Sequence, residues 1–225
     1  MLEDQAPWSY SSRAVELMHC FSSLIDLGTG GGERLLKFRE SWPKKVTATE
    51  NFPPNLKLAT DRLSPFGVQV FDVSQNLDTL MPFNEGEFDL VLNRHSGFNP
   101  GEVARILSPG GTYLTQQMHG LSGYDLTALF GQEPPWPFAT PEFFIPLLKA
   151  AGLTIIDKFE WSGQLTFTDV GSIVYYLKAV PWVVSGFSVE THLDHLFELQ
   201  RRLENNEGLS FIKRQYLIEA YKKPK

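Results

Sequence analysis

The sequence has little of three features that mark large classes of protein. It contains one cysteine in 225 residues, which excludes a disulfide framework and a cysteine-rich metal site and is typical of a reducing compartment. It has no excess of positive charge: 26 acidic residues against 20 basic ones give a net charge of −6 at pH 7. A broad nucleic-acid footprint needs clustered lysine and arginine, so this balance argues against a nucleic-acid partner.

The third missing feature is a long apolar run. No segment reaches transmembrane length, and the opening residues MLEDQAPW carry acids where a signal peptide needs basic charge. We therefore expect a cytoplasmic protein with no membrane partner. With 42% hydrophobic and 20% charged residues, the chain suits one sizeable core and a single domain over residues 1–225. The only cysteine, Cys20, lies in an apolar, helix-like stretch and is expected to be a small buried side chain.

A glycine-rich turn organises the rest of the chain. In residues 24–36, LIDLGTGGGERLL, a short apolar run ends in Asp26, glycines follow, and a helix-like composition comes next. This order predicts a strand, a tight turn and a helix start. Glycine permits positive φ and close approach of a ligand, so a nucleotide-like ligand is expected. A dinucleotide fingerprint, however, needs a third glycine where Glu33 stands.

The same turn spells D-x-G-x-G-x-G, through Asp26, Gly28, Gly30 and Gly32. This pattern resembles motif I of the class I S-adenosylmethionine-dependent methyltransferases. An NAD site and a turn that binds nothing are the alternatives for this motif alone. The resemblance implies that these four residues and Thr29 bind S-adenosyl-L-methionine, and a carboxylate before the turn suits the ammonium group of its methionine end.

The second predicted strand, residues 45–50, also ends in an acid, Glu50. It comes about twenty residues beyond the glycine turn, where a carboxylate can accept hydrogen bonds from both hydroxyls of a ribose. Asn51 follows and is expected to flank the adenine. The alternative for Glu50 is a solvated charge at the end of a strand.

The third predicted strand covers residues 67–73. The resemblance implies that Asp72 accepts a hydrogen bond from the adenine amine and that the backbone of Val73 contacts the edge of the ring. Asp72 could instead cap a short turn from Ser74 to Leu80.

The fourth predicted strand, residues 88–93, is nearly all apolar and leads into a polar loop. Ligands bind at the carboxyl edge of an open α/β sheet, so the residues at this edge are candidates for the site. We assign Asn93 to cofactor binding, and Arg94 and His95 to the catalytic group that faces the methyl acceptor. His95 is the candidate general base, with a pKa near working pH. Arg94 could orient a carboxylate or phosphate of the acceptor, or it could pair with Glu102.

A second family pattern lies at residues 105–111, RILSPGG. It predicts a helix that stops at Pro109 and turns into a fifth strand. It is very similar to the R-x-L-x-P-G-G turn of class I methyltransferases and is structural, with no role in catalysis. Motif I, the acids after strands two and three, and this turn occur in the family's order.

About fifty residues separate the sixth predicted strand, residues 153–161, from the last one, residues 211–221. They include two predicted helices, and we expect residues 162–208 to form a helical cap over the carboxyl edge of the sheet. His192 and His195 are three residues apart on the second of these helices. That spacing could hold a metal, but the polar face of an exposed helix is the favoured interpretation, and no metal is expected.

The sequence thus predicts an α/β, doubly wound sheet of seven strands with helices on both faces. The resemblance implies the strand order 3-2-1-4-5-7-6 with an antiparallel last strand. The resembled fold normally needs only a hairpin between strands 6 and 7, and this chain is expected to have a helical insertion there. The expected protein is a methyltransferase that uses S-adenosyl-L-methionine, releases S-adenosyl-L-homocysteine and acts on a small molecule, as a monomer or a homodimer. An rRNA or tRNA methyltransferase and a non-catalytic regulatory protein that binds the same cofactor are the alternatives.

Overall fold

We describe a computed structural model of the chain, which covers residues 1–73 and 80–224. The strands are β1 (Leu2–Glu3), β2 (Ser23–Leu27), β3 (Lys45–Glu50), β4 (Gln69–Asp72), β5 (Phe88–Arg94), β6 (Leu107–Met118), β7 (Leu153–Thr166) and β8 (Ser210–Lys222). The helices are α1 (Tyr10–Met18), α2 (Glu33–Lys37), α3 (Pro53–Leu63), α4 (Pro100–Ile106), α5 (Tyr124–Leu129), α6 (Pro141–Ala150), α7 (Val170–Ala179) and α8 (Leu193–Glu204).

These strands form one sheet in the order β1-β7-β8-β6-β5-β2-β3-β4. β2 pairs in parallel with β3 and β5, β3 with β4, and β5 with β6. β1 pairs with β7 in the antiparallel direction, so the sheet is mixed. The α/β class is therefore confirmed, but the sheet has eight strands, and its order differs from the predicted seven-stranded order by the added edge strand β1.

β1 is held by a few polar contacts. The Asp4 amide donates to the Gln164 carbonyl at 3.0 Å, the Gln164 amide donates to Asp4 Oδ2 at 2.9 Å, and Glu3 pairs with Lys213. A strand of two exposed residues has no periodic pattern, which is why the sequence did not predict it.

The chain divides into two compact units. The larger one consists of Trp8–Gln117, Pro141–Phe159 and Tyr216–Lys225. Alternate residues of its strands enter two different apolar clusters: Leu24 packs with Ala14 of α1, whereas Ile25 packs with Val103 of α4. Both faces of the parallel strands are thus buried under helices, as a doubly wound sheet requires.

The smaller unit consists of Met1–Pro7, Met118–Thr140 and Glu160–Gln215. Its apolar core comes from α5, α7, α8 and the strand residues beside them: Leu126, Phe130, Phe167, Ile173, Leu177, Leu196, Leu199 and Phe211. Both helices predicted between the last two strands are present as α7 and α8. The sixth strand runs further than expected, to Thr166, so the predicted start of the insertion at residue 162 lies inside β7.

The P-G-G turn differs from its prediction. Helix α4 ends at Ile106, and β6 begins at once at Leu107, before the glycines. The pairing of β5 with β6 is irregular there, between Phe88 and Leu90. A Cβ on Gly111 would lie 2.7 Å from the Asp89 carbonyl oxygen, so a glycine is needed for the two strands to approach.

Candidate functional site

The glycine turn follows β2 in the larger unit. Gly28, Gly30 and Gly32 have φ values of 68°, 64° and 80°, in the left-handed region that L side chains rarely adopt. A Cβ on Gly32 would lie 2.9 Å from Leu63 Cδ1, so this glycine lets the turn pack against α3. Among the described residues, a Cβ on Gly30 would meet nothing within 4 Å. Gly30 is therefore the position where the backbone is open to a ligand.

The end of β3 holds the turn in this conformation. The Gly28 amide donates to Thr49 Oγ1 at 3.1 Å, and the Thr29 amide donates to the Thr49 carbonyl at 2.9 Å. Thr49 is paired with Leu27 in the sheet, which brings it beside the turn. The sequence did not single out Thr49, because a buried threonine in a β-branched strand carries no signal of its own.

Glu50 completes this support. Its Oε2 accepts from the Gly30 amide at 2.7 Å, and its Oε1 accepts from the amides of Asn51 and Phe52, both at 2.9 Å. The residue is only 6% exposed, so the alternative interpretation, a solvated charge at the end of a strand, is wrong. A carboxylate offers about four acceptor positions, so three amides leave about one for a ligand.

Asp26 lies on β2, just before the turn, and is half-buried. Burial raises the pKa of its carboxyl group to about 6, and the nearby Glu50 carboxylate adds to the rise. The Thr29 hydroxyl and the guanidinium groups of Arg34 and Arg94 act in the opposite direction. A neighbouring cation stabilises the ionised form of a poorly solvated carboxylate more than it stabilises that of a carboxylate in water.

Arg94 ends β5 and is also half-buried. It forms no ion pair within the described part of the chain, and burial and the charge of Arg34 lower the pKa of its guanidinium group. The predicted alternative partner, Glu102, pairs with Arg105, at 2.7 Å from Nε and 2.8 Å from Nη2. The alternative in which Arg94 pairs with Glu102 is therefore wrong, and the guanidinium group remains available to an anion.

His95 follows Arg94 with φ of 57°, one of two non-glycine residues with positive φ among those described. Such strain occurs at functional sites more often than elsewhere. Burial of the ring lowers its pKa to about 3, and the charges of Arg94 and Arg34 act in the same direction. His95 is exposed to solvent. The positive charges of Arg94 and Arg34 nevertheless disfavour the protonated form of its ring. The lowered pKa favours a neutral ring, and the role of His95 as a general base stays a prediction.

Asn93 is fully buried in the core of the larger unit. Its Nδ2 donates to the Leu27 carbonyl at 3.3 Å, and its Oδ1 accepts from Thr115 Oγ1 at 3.0 Å and from Gln117 Nε2. Gln117 Nε2 also donates to the Ser96 carbonyl at 3.0 Å. This network fixes the position of the strand ends beside Arg94 and His95. It depends on Thr115 and Gln117 of β6, which the sequence did not mark as functional.

The remaining predicted cofactor residues lie at the ends of β3 and β4. Glu50 and Asp72 are paired in the sheet, so the two acids lie at the same edge. Asn51 and Asp72 are exposed, whereas Val73 is buried. The turn that Asp72 could have capped involves residues 74–79, which lie outside the described residues.

Two other sequence hypotheses concern positions away from the turn. The His192 and His195 rings lie 5.9 Å apart between their centroids and pack with Phe130. Of the groups of three possible metal ligands found among the described residues, none contains either histidine. Cys20 is exposed, so its prediction as a buried side chain is wrong; its thiol lies 3.4 Å from the Glu16 carbonyl.

Comparison with known proteins agrees with this geometry. A family model described as a methyltransferase domain matches residues 25–115, which begin in β2 and end in β6. Over these residues the chain is similar to that methyltransferase domain. The match supports methyl transfer, without identifying the acceptor. No curated protein matches the sequence.

Several solved structures share the fold. The YcgJ protein of Bacillus subtilis has a TM-score of 0.66 at 15% identity, covering 96% of this chain and 98% of its own. A functionally unknown protein of Deinococcus radiodurans R1 has a TM-score of 0.64 at 14% identity, with coverage of 99% and 90%. A geranyl diphosphate methyltransferase in complex with S-adenosylmethionine has a TM-score of 0.56 at 18% identity, with coverage of 94% and 85%. At these identities the likeness shows the fold alone.

Each helix in residues 1–73 and 80–224 is too short or too polar to cross a bilayer.

Proposed function

We propose that this chain transfers a methyl group from S-adenosyl-L-methionine to a small-molecule acceptor, at the carboxyl edge of β2, β3, β4 and β5. The observation that carries the proposal is the pair formed by Asp26 and Arg94. They bear opposite charges, influence each other's pKa, and form no ion pair with another described residue. A methionine end carries an ammonium and a carboxylate, and these two side chains match the charges of both.

The other residues of the edge fit the remainder of the ligand. Gly30 supplies an open backbone position, and we assign Gly28, Thr29 and Gly32 of the same turn to the ligand as well. Glu50 keeps about one acceptor position for a ribose hydroxyl. Asn51, Asp72, Val73 and the loop after Asn93 lie at the same carboxyl edge, where we assign the adenine and the reacting end of the ligand.

The chain's own contribution to the chemistry is orientation and the removal of water. When bound, S-adenosyl-L-methionine supplies a methyl carbon that is activated by a positively charged sulfur. In-line displacement needs the acceptor held on the side of that carbon opposite the sulfur. Good orientation alone can lower the activation barrier by several kcal/mol, about 7 to 11 in favourable systems. The sequence assigned both Arg94 and His95 to this part of the site; in this proposal Arg94 binds the carboxylate of the methionine end, and His95 remains the candidate that faces the acceptor.

A small molecule is the favoured acceptor because the charge of −6 gives no basic footprint for a nucleic acid. The product would be S-adenosyl-L-homocysteine. That residues 162–208 cap the acceptor, that the chain is cytoplasmic, and that it is a monomer or a homodimer stay predictions from the sequence.

The test is calorimetric titration of the protein with S-adenosyl-L-methionine, S-adenosyl-L-homocysteine and NAD. Binding of the first two alone is expected. Asp26→Asn and Arg94→Met should each weaken binding about 10- to 100-fold, the value of a charge-assisted hydrogen bond of roughly 1.5–3 kcal/mol. Asp61→Asn is the matched control, because Asp61 is exposed and its ion pair within the described residues is with Lys57 on the same helix, α3. Binding of NAD alone, or none at all, would refute the cofactor assignment.

The acceptor needs a second experiment. Protein with radiolabelled S-adenosyl-L-methionine is incubated with pools of small carboxylates, amines, thiols and phenols, and separately with total tRNA and rRNA. Label is expected in a small-molecule pool. Label in RNA that disappears with added salt would favour the RNA alternative, and binding without transfer in any pool would favour a regulatory protein.

A further inference from the structure

One amide side chain connects Trp8 to His95. Gln116, on β6, is 7% exposed. Its Oε1 accepts a hydrogen bond from Trp8 Nε1 at 2.9 Å, and its Nε2 lies 3.4 Å from His95 Nε2. The backbone repeats the link, because the His95 amide donates to the Gln116 carbonyl at 2.9 Å.

The tryptophan determines which way the amide points. An indole nitrogen only donates a hydrogen bond, so the atom that faces Trp8 must be the oxygen of Gln116. The two ends of a glutamine amide are assigned from their partners, and here the assignment has one solution. The NH₂ group of Gln116 therefore faces His95.

The amide in turn determines where the imidazole proton lies. An NH₂ group has no lone pair to offer, so His95 Nε2 must supply the lone pair in this long contact. The proton of the neutral ring is then on Nδ1. A doubly protonated ring would point an N–H at an N–H, and the charged groups that act on the ring, Arg94 and Arg34, oppose it as well.

We infer that Trp8 and Gln116 are positioning residues that hold His95 as the neutral Nδ1–H tautomer, so that His95 offers a hydrogen-bond donor to the acceptor and does not remove its proton. In the described part of the chain, Nδ1 has no hydrogen-bond partner, which leaves it to a ligand. Nε2, the atom that a base would use, is already occupied by Gln116.

The consequence of this inference for the methyl acceptor rests on the proposed function. It restricts the chemical classes to which the acceptor can belong. The acceptor must present a lone pair to His95, and its nucleophilic atom must arrive without a proton that His95 would have to take. A carboxylate meets this requirement at neutral pH, and a thiol or an alkyl amine meets it in the fraction that is already deprotonated at that pH. An alcohol does not, because its hydroxyl proton must be removed during transfer.

Nitrogen-15 NMR of the imidazole rings in the full chain tests the tautomer without any ligand. The His95 signals are assigned by their loss in His95→Gln. The expected result is a protonated-type shift at Nδ1 and an unprotonated-type shift at Nε2, unchanged from pH 8 to pH 5. A proton on Nε2, or titration of His95 between these pH values, would overturn the inference.

Two variants test the cause. Gln116→Glu replaces the NH₂ group by an acceptor and should move the proton to Nε2, whereas Trp8→Phe removes the indole donor and should produce a mixture of tautomers. Gln116 is buried, so Trp8→Phe serves if the glutamate variant does not fold. A tautomer unchanged in every folded variant would contradict the role of both residues. Titration of the wild type with S-adenosyl-L-methionine is scored separately, so that a failure of the proposed function is not mistaken for a failure of the tautomer.

Discussion

Arg13 and Glu219 form a two-point ion pair that ties α1 to β8. Arg13 Nε lies 2.7 Å from Glu219 Oε2, and Nη2 lies 2.7 Å from Oε1. The glutamate side chain is only 3% exposed, whereas that of the arginine is 42% exposed. The pair is therefore unequal: losing the arginine would leave a buried charge, while losing the glutamate would leave a group that water can still solvate.

This inequality gives a stability prediction. Arg13→Met should lower the free energy of unfolding by about 2–4 kcal/mol. Removing one partner of a fully buried ion pair lowers it by roughly 3–5 kcal/mol, and the loss is smaller here because Arg13 is partly exposed. Urea unfolding followed by circular dichroism measures the change. Glu16→Gln is the control, since Glu16 is 63% exposed in its contact with Arg13 and its loss should cost less than about 1 kcal/mol. Equal losses in both variants would contradict the argument.

Asp26 is expected to reduce the stability of the free protein. Burial raises the pKa of its carboxyl group from 3.8 to about 6, so the folded state binds a proton more readily than the unfolded state between these values. This group therefore favours unfolding increasingly as the pH rises through that range. Asp26→Asn should raise the melting temperature at pH 8, and the gain should shrink towards pH 4. Thermal melts across this pH range measure it, and a lower melting temperature for the variant at pH 8 would contradict the prediction.

The same pKa predicts how cofactor affinity depends on pH. If the ammonium of S-adenosyl-L-methionine binds the ionised carboxylate, the dissociation constant should increase about tenfold for each pH unit below about 6. The constant should be nearly flat between pH 6 and pH 8. Calorimetric titrations at pH 5, 6, 7 and 8 measure the slope. Asp26→Asn should bind weakly at every pH, and a wild-type affinity that is flat down to pH 5 would remove Asp26 from the site.

Gly30 and Gly32 should respond differently to the same substitution. Gly30→Ala places a methyl group in open space, so it should lose ligand binding at a folding cost of about 1–2 kcal/mol for the positive φ. Gly32→Ala adds the contact with Leu63 at 2.9 Å to the same strain and should destabilise the fold further. Unfolding and binding measurements on both variants compare them. Unchanged cofactor affinity in a folded Gly30→Ala protein would refute the assignment of the glycine turn.

The features that the sequence predicted correctly are those that depend on neighbouring residues. The apolar runs before Asp26 and Asn93 and the glycines after Asp26 all lie within a few residues of the structure that they specify. The acids at the ends of β3 and β4 were found at one edge of the sheet because parallel strands carry their ends together.

The features that the sequence missed depend on the folded environment of a residue. Burial and the charges of Arg94 and Arg34 lower the pKa of His95, and Glu102 pairs with Arg105 one turn along α4. Gln116 reads as an ordinary polar residue at the end of a strand until Trp8 is seen beside it. The three amides that occupy Glu50 are equally invisible in the sequence, since a carboxylate at the end of a strand looks the same whether it faces water or a backbone.

Those three hydrogen bonds to Glu50 also affect how fast and how readily a ligand can bind. Because the carboxylate already holds the amides of Gly30, Asn51 and Phe52, the loop is ordered during folding, and its conformational entropy is lost before the ligand arrives. Binding then needs no loop rearrangement, and association should follow a single concentration-dependent step with little change in the amide signals of the turn.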